Sequence, residues 1–187
     1  MAKKIIILNG SPRKNGNTSA LTAAFAKGAA EAGNEVTEFH VGNMNIKGCL
    51  GCWHGGKDGD ETCPCVQKDD MAKIYPAYRE ADVVVLASPL YYWFISGQLK
   101  TAFDRLFAVA ECDPNIRNPK KLCVLLMAAE GAGFEESVYW YDRIEKHIGW
   151  KSLGKVLCGW VTQPGDIEGK PELRQAYELG RSMEEIF

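Results

Sequence analysis

The chain has 187 residues, 46% of them hydrophobic and 25% charged, with a formal net charge of −2. That is enough chain for one buried core and short for two. The charge balance offers no general attraction to nucleic acid or anionic lipid, and no run approaches 18 consecutive apolar residues, so neither a nucleic-acid partner nor a membrane span is expected.

Taken in chain order, the apolar run Ile5-Ile6-Ile7-Leu8 is too short for a signal-peptide core and reads as a strand over 3–8, buried on both faces. A helix is predicted over 18–32, with Leu21, Phe25 and Ala29 on one face and Gly33 as its stop. Further strands are predicted over 36–41, 83–87, 122–127 and 153–161. Helices fill 96–110, 135–148 and 172–186, the first with Leu99, Phe103, Leu106 and Ala110 at helical spacing. Five strands with intervening helices predict a three-layer α/β architecture around a parallel sheet, as one domain over 1–187. Only a Cys/Gly-rich loop at about 42–67 breaks the alternation, and its length marks it as functional. The chain has seven cysteines, an odd number. Cys112, Cys123 and Cys158 are scattered, and the last two sit in apolar runs as buried thiols, so a reducing cytoplasm is expected.

In an open α/β sheet, ligands bind beyond the carboxyl ends of the strands. The first strand exits into a loop running from Asn9 to Ser19, with hydroxyls on Ser11, Thr18 and Ser19 and a guanidinium on Arg13. Followed by a helix, this suits a dianionic phosphate. The patterns G-x-x-x-x-G-K-[ST] and G-x-G-x-x-G are both missing, which leaves a terminal monophosphate as the better fit. The third strand exits into Ser88-Pro89-Leu90-Tyr91-Tyr92-Trp93-Phe94, able to set planar groups against a flat heterocycle. The fourth exits into the Gly-rich turn Ala128-Ala129-Glu130-Gly131-Ala132-Gly133.

The stretch Gly10 to Thr18 followed by Leu21, and Ser88 to Tyr92 with Gly97 and Lys100, resemble the two flavin loops of NAD(P)H-dependent FMN reductases. Asp69-Asp70-Met71 is similar to the related iron–sulfur flavoproteins. The resemblance implies a flavodoxin-like fold with strand order 2-1-3-4-5 and FMN as cofactor. Ser11, Arg13, Asn17, Thr18 and Ser19 would hold its phosphate. Pro89, Leu90, Tyr91, Tyr92 and Phe94 would line the isoalloxazine, with Glu130 and Gly131 on the other side. Many relatives have serine where Gly16 stands, so one hydroxyl is missing here. The resemblance further implies NADPH or NADH as co-substrate, a small-molecule electron acceptor, and a homodimer or dimer of dimers. The chemistry belongs to the flavin, so no catalytic side chain is named. A dedicated electron carrier is the alternative, although Arg13 argues against a plain flavodoxin. A flavin-bearing interaction protein using Tyr139-Trp140-Tyr141 is another.

Cys49, Cys52, Cys63 and Cys65 have the spacing C-x2-C and C-x-C, which admits an iron–sulfur cluster, a zinc ion or no metal. Gly55 stands where a compact cluster motif has its third cysteine, and C-x-C side chains diverge on an extended segment. The metal-free reading is therefore the expectation, with His54 as a solvated loop residue.

Overall fold

The computed structural model describes residues 2–53, 65–110 and 121–184. Its strands are β1 (Lys4–Asn9), β2 (Glu35–Phe39), β3 (Val83–Tyr91), β4 (Phe94–Ile95), β5 (Leu122–Ala128) and β6 (Lys151–Cys158). Its helices are α1 (Asn17–Glu31), α2 (Met71–Glu80), α3 (Gly97–Arg105), α4 (Phe107–Ala110), α5 (Glu135–Ile148) and α6 (Pro171–Arg181). The sheet order is β2-β1-β3-β5-β6, every one of these pairings parallel. This is the expected order with one addition, the two-residue β4 folded back antiparallel on the end of β3.

The continuous apolar runs follow from burial on both faces. Ile5, Ile7, Val83 and Val85 pack with Leu21 and Phe25 of α1 and Ala176 of α6. Ile6, Leu8, Val84 and Leu86 pack with Ile74 of α2, Leu99 of α3 and Tyr141 of α5. On the first face α1 and α6 cross at two glycines. A Cβ on Gly28 would overlap the Tyr177 carbonyl oxygen, and one on Gly180 would overlap that of Phe25. Only glycine lets the two backbones come this close.

Several boundaries shift from the sequence reading, β3 running on to Tyr91 and α6 ending at Arg181, and three elements differ in kind or pairing. The predicted helix 96–110 is two helices, the first tightened at its end by an i→i−3 bond from Leu106 N to Phe103 O. The strand after α5 begins two residues earlier, and its pairing with β5 shifts between Cys123 and Val124, opposite Gly154. No helix is predicted before β3, yet α2 forms there around Pro76. Its buried residues Met71, Ile74, Tyr75 and Tyr78 recur at i, i+3, i+4 and i+7.

The Cys/Gly-rich loop is fastened at its two ends. Arg105 Nη1 donates to Asp69 Oδ2 at 2.7 Å and to the Lys47 carbonyl at 2.7 Å, while Nη2 donates to Asp69 Oδ1 at 3.1 Å. Both side chains are 1% exposed. Asp69 also accepts from the amides of Lys47 and Met71. Burial opposes its charge, but the Arg105 guanidinium and these two amides hold its carboxyl below the usual range. His54, Gly55 and Cys63 lie outside the described residues. Among the described residues, no helix is long and apolar enough to cross a membrane.

Candidate functional site

Asn9, at the carboxyl end of β1, is fully buried and organises the turn that follows. Its Oδ1 accepts from Ser11 N at 2.9 Å, and its Nδ2 donates to Ser19 Oγ at 3.1 Å and Glu38 Oε1 at 2.9 Å. Gly10 N continues the sheet by bonding Ala87 O at 2.8 Å. Gly42 packs so closely beneath that a Cβ there would overlap the Ser11 carbonyl. The loop is thereby fixed, and α1 begins from Gly16 with no side chain capping its first turn. The free N–H groups of that turn carry the positive end of the helix dipole.

This helix start is one wall of a cleft of about 220 Å³, lined there by Ser11, Arg13, Gly16, Asn17 and Thr18. Pro89, Leu90 and Tyr91 at the end of β3 make the second wall, and Ala128, Ala129 and Glu130 the third. Val161 and Thr162, after β6, make a fourth that the sequence reading did not name. Arg13 Nη1 reaches the Thr162 carbonyl at 3.4 Å, and Asn17 Nδ2 reaches that of Gln163 at 3.0 Å. Asn17 Oδ1 is left buried without a protein partner.

Four expected residues do not line the cleft. Ser19 Oγ donates to Arg13 O at 3.0 Å and accepts from Asn9, so its hydroxyl holds the loop itself. Phe94 turns to the α5 side, edge-on to Trp140 at 5.6 Å. Gly131 lies against Gly159, where a Cβ would come within 2.7 Å of the Gly131 carbonyl oxygen. Tyr92 stands at the hairpin tip, 93% exposed.

The β3–β4 connection is the two-residue turn Tyr92-Trp93, with φ of 48° and 62°. Both residues are left-handed, a conformation that favours Asn-Gly and costs an aromatic residue about 1–2 kcal/mol. The strained tip is braced by Ser137 Oγ, which donates to Trp93 O at 3.2 Å, and by the Trp93 ring lying over Gly133. Tyr92 brings little packing in return. Tyr92→Gly is accordingly expected to stabilise the fold by about 1 kcal/mol, read as a higher urea midpoint at unchanged slope. A lower midpoint would show that the ring contributes packing the turn needs.

The arrangement fits a flavin mononucleotide on its own chemistry. An uncapped helix start beside a guanidinium suits a dianionic phosphate. The unpartnered Asn17 Oδ1 suits a ribityl hydroxyl, and the slot between the β3 edge and the Ala128–Glu130 turn suits a flat ring.

Residues 3–139 match the model of the family described as NADPH-dependent FMN reductase. Over 185 residues the chain is 33% identical to an iron-sulfur flavoprotein of Archaeoglobus fulgidus, covering 98% of this chain and 80% of that protein. It is 35% identical over 102 residues to one of Methanocaldococcus jannaschii, covering 54% of this chain but only 51% of the relative. Among solved structures it is similar to an NAD(P)H:quinone oxidoreductase from Methanothermobacter marburgensis, with a TM-score of 0.71, 21% identity and coverage of 98% and 97%. It is also similar to an FMN-dependent NADH-azoreductase from Bacillus anthracis, with a TM-score of 0.67, 13% identity and coverage of 96% and 99%. At these identities the two structures show a shared flavodoxin-like fold. The chain belongs to the NADPH-dependent FMN reductase family, as a flavoprotein oxidoreductase with FMN as cofactor and NAD(P)H as co-substrate.

Proposed function

We propose that all 187 residues act as one unit that takes electrons from NADPH or NADH and delivers them, through FMN in the described cleft, to a small-molecule acceptor. The observation that carries this reading is the uncapped start of α1 beside Arg13, facing the aromatic end of β3 across the cleft. Bound FMN supplies the two-electron chemistry. Arg13, Ser11, Thr18 and the first turn of α1 hold the phosphate. Asn17 presents an acceptor to the ribityl chain rather than a donor to the phosphate, since its Nδ2 is engaged by Gln163 O. Pro89, Leu90 and Tyr91 set one edge of the ring, and Glu130 the other.

The purified protein is expected to show flavin absorbance and to oxidise NAD(P)H when quinone, nitroaromatic, ferric or free-flavin acceptors are added. Flavin absorbance without NAD(P)H oxidation by any acceptor would overturn the enzyme reading. An electron-carrier reading draws support from the relatives named iron-sulfur flavoproteins and from Cys49, Cys52 and Cys65 at the borders of one segment. Among the described residues, no three metal-binding side chains converge, and Cys63 lies outside them. Stoichiometric iron and sulfide in an anaerobic preparation, lost on changing Cys49 and Cys65 to serine, would favour the carrier.

Tyr91, Tyr92, Trp93 and Tyr139 are 45–93% exposed, and this aromatic surface supports a homodimer or dimer of dimers. The free thiols Cys49, Cys52, Cys123 and Cys158 support a cytoplasmic location.

A further inference from the structure

The match to the family ends at residue 139, yet one wall of the cleft comes from the loop between β6 and α6. That loop is anchored at its start by Val161 N on Ala129 O at 2.9 Å and by Lys170 Nζ on Gly159 O at 3.1 Å. Ile167, 1% exposed, anchors it in the core beneath α6. Thr162 and Gln163 lie between these anchors, exposed to solvent, where an unrestrained peptide plane rotates freely.

Asp166 restrains them with both its carboxylate and its own N–H, which donates to Gln163 O at 3.1 Å. Asp166 Oδ2 accepts from Thr162 N at 2.8 Å and from Gln163 N at 2.7 Å. The Gln163 N–H shares a peptide plane with the Thr162 carbonyl, and the Gln163 carbonyl, in the next plane, is held by the Asp166 N–H. The turn closed by Asp166 thus turns both carbonyls to the phosphate loop. Gln163 O receives Asn17 Nδ2, and Thr162 O receives Arg13 Nη1. An amide side chain has one donor end and one acceptor end, so the bond to Gln163 O decides which end of Asn17 is left over. The end left over is Oδ1, the buried acceptor without a partner.

We propose that Asp166 is a positioning residue of the FMN site, acting through Gln163 to present Asn17 Oδ1 to a ligand hydroxyl. This rests on the FMN reading above. Asp166 touches no reacting atom: its carboxylate and N–H hold the turn whose Gln163 carbonyl orients Asn17. The two backbone amides, Gln163 first, also hold its carboxyl below the usual range, so it is a charged acceptor at neutral pH.

The test is FMN titration of apoprotein, read by quenching of flavin fluorescence, with amide hydrogen exchange measured on the same proteins. Asp166→Ala is expected to weaken FMN binding about tenfold, the worth of roughly one hydrogen bond to a charged group. Asp166→Asn keeps a carbonyl oxygen able to accept both amides and is expected to stay within about twofold of wild type. In an Asn17→Ala background, Asp166→Ala should add less than about twofold, because the path is already cut. In apo Asp166→Ala, the amides of Thr162 and Gln163 should exchange faster while those of β5 do not. Full additivity of the two alanine substitutions, or unchanged exchange at Thr162 and Gln163, would overturn the proposal. Failure of the wild-type protein to quench FMN at all would instead overturn the cofactor reading on which it stands.

Discussion

Arg105→Met is expected to destabilise the fold by about 3–5 kcal/mol, the usual consequence of removing one partner from a buried ion pair. The side chains of Arg105 and Asp69 are each 1% exposed, so neither charge has water to fall back on. Methionine fills the space but leaves the Asp69 carboxylate and the Lys47 carbonyl without the guanidinium. The loss is read from urea unfolding at pH 7. Its pH dependence has a defined sign. In wild type the Asp69 carboxyl is held low, so its contribution is present above the ordinary carboxylate range and is lost only as pH falls through the depressed value. In the variant the unpaired carboxyl is raised instead, so protonation relieves it. The gap between the two proteins should therefore narrow as pH falls from 7 towards 4. A gap that is small at pH 7, or that widens in acid, would show that the pair contributes little. The double variant Asp69→Leu/Arg105→Met should regain much of the loss, since no charge then stays buried.

Arg13→Ala is the second large effect expected, this time on binding. FMN affinity should fall by about 2 kcal/mol, or about thirtyfold, the worth of a charge-assisted contact to phosphate. Riboflavin, which lacks the phosphate, should bind variant and wild type almost equally. Arg13 is exposed and its Thr162 contact is long at 3.4 Å, so the fold itself should be little disturbed. Equal loss of riboflavin and FMN would place Arg13 in loop structure rather than phosphate binding.

The two cases differ in how legible they were. Arg13 could be read because a loop between a buried strand and a helix, rich in hydroxyls, has a local chemical meaning. The same holds for Ser11, Thr18, Pro89, Leu90, Tyr91 and Glu130, which follow the carboxyl ends of apolar runs and do line the cleft. Arg105 was not legible, because its partner Asp69 lies 36 residues away and nothing local marks a buried charge. The run Thr162-Gln163-Pro164-Gly165-Asp166 reads as an ordinary polar turn, and only folding sets it against the phosphate loop. Helix α2 carried its apolar spacing openly, but Pro76 reads as an interruption. Ser19 shows the opposite failure: the right residue type in the right loop, with its hydroxyl committed to the loop's own bonds.

The glycine crossing of α1 and α6 has a mechanical consequence for binding. Gly28 lies eleven residues along α1 from Asn17, a lever arm of about 16 Å at the helical rise. A side chain at the crossing that tilts α1 by about 5° would swing Asn17 and its first-turn amides by about 1.4 Å. That displacement exceeds the tolerance of a hydrogen bond, although the crossing itself touches no ligand. Ligand affinity in this fold is thus sensitive to the thickness of a helix contact on the far side of the lever, where two missing methyl groups set the aim of the phosphate loop.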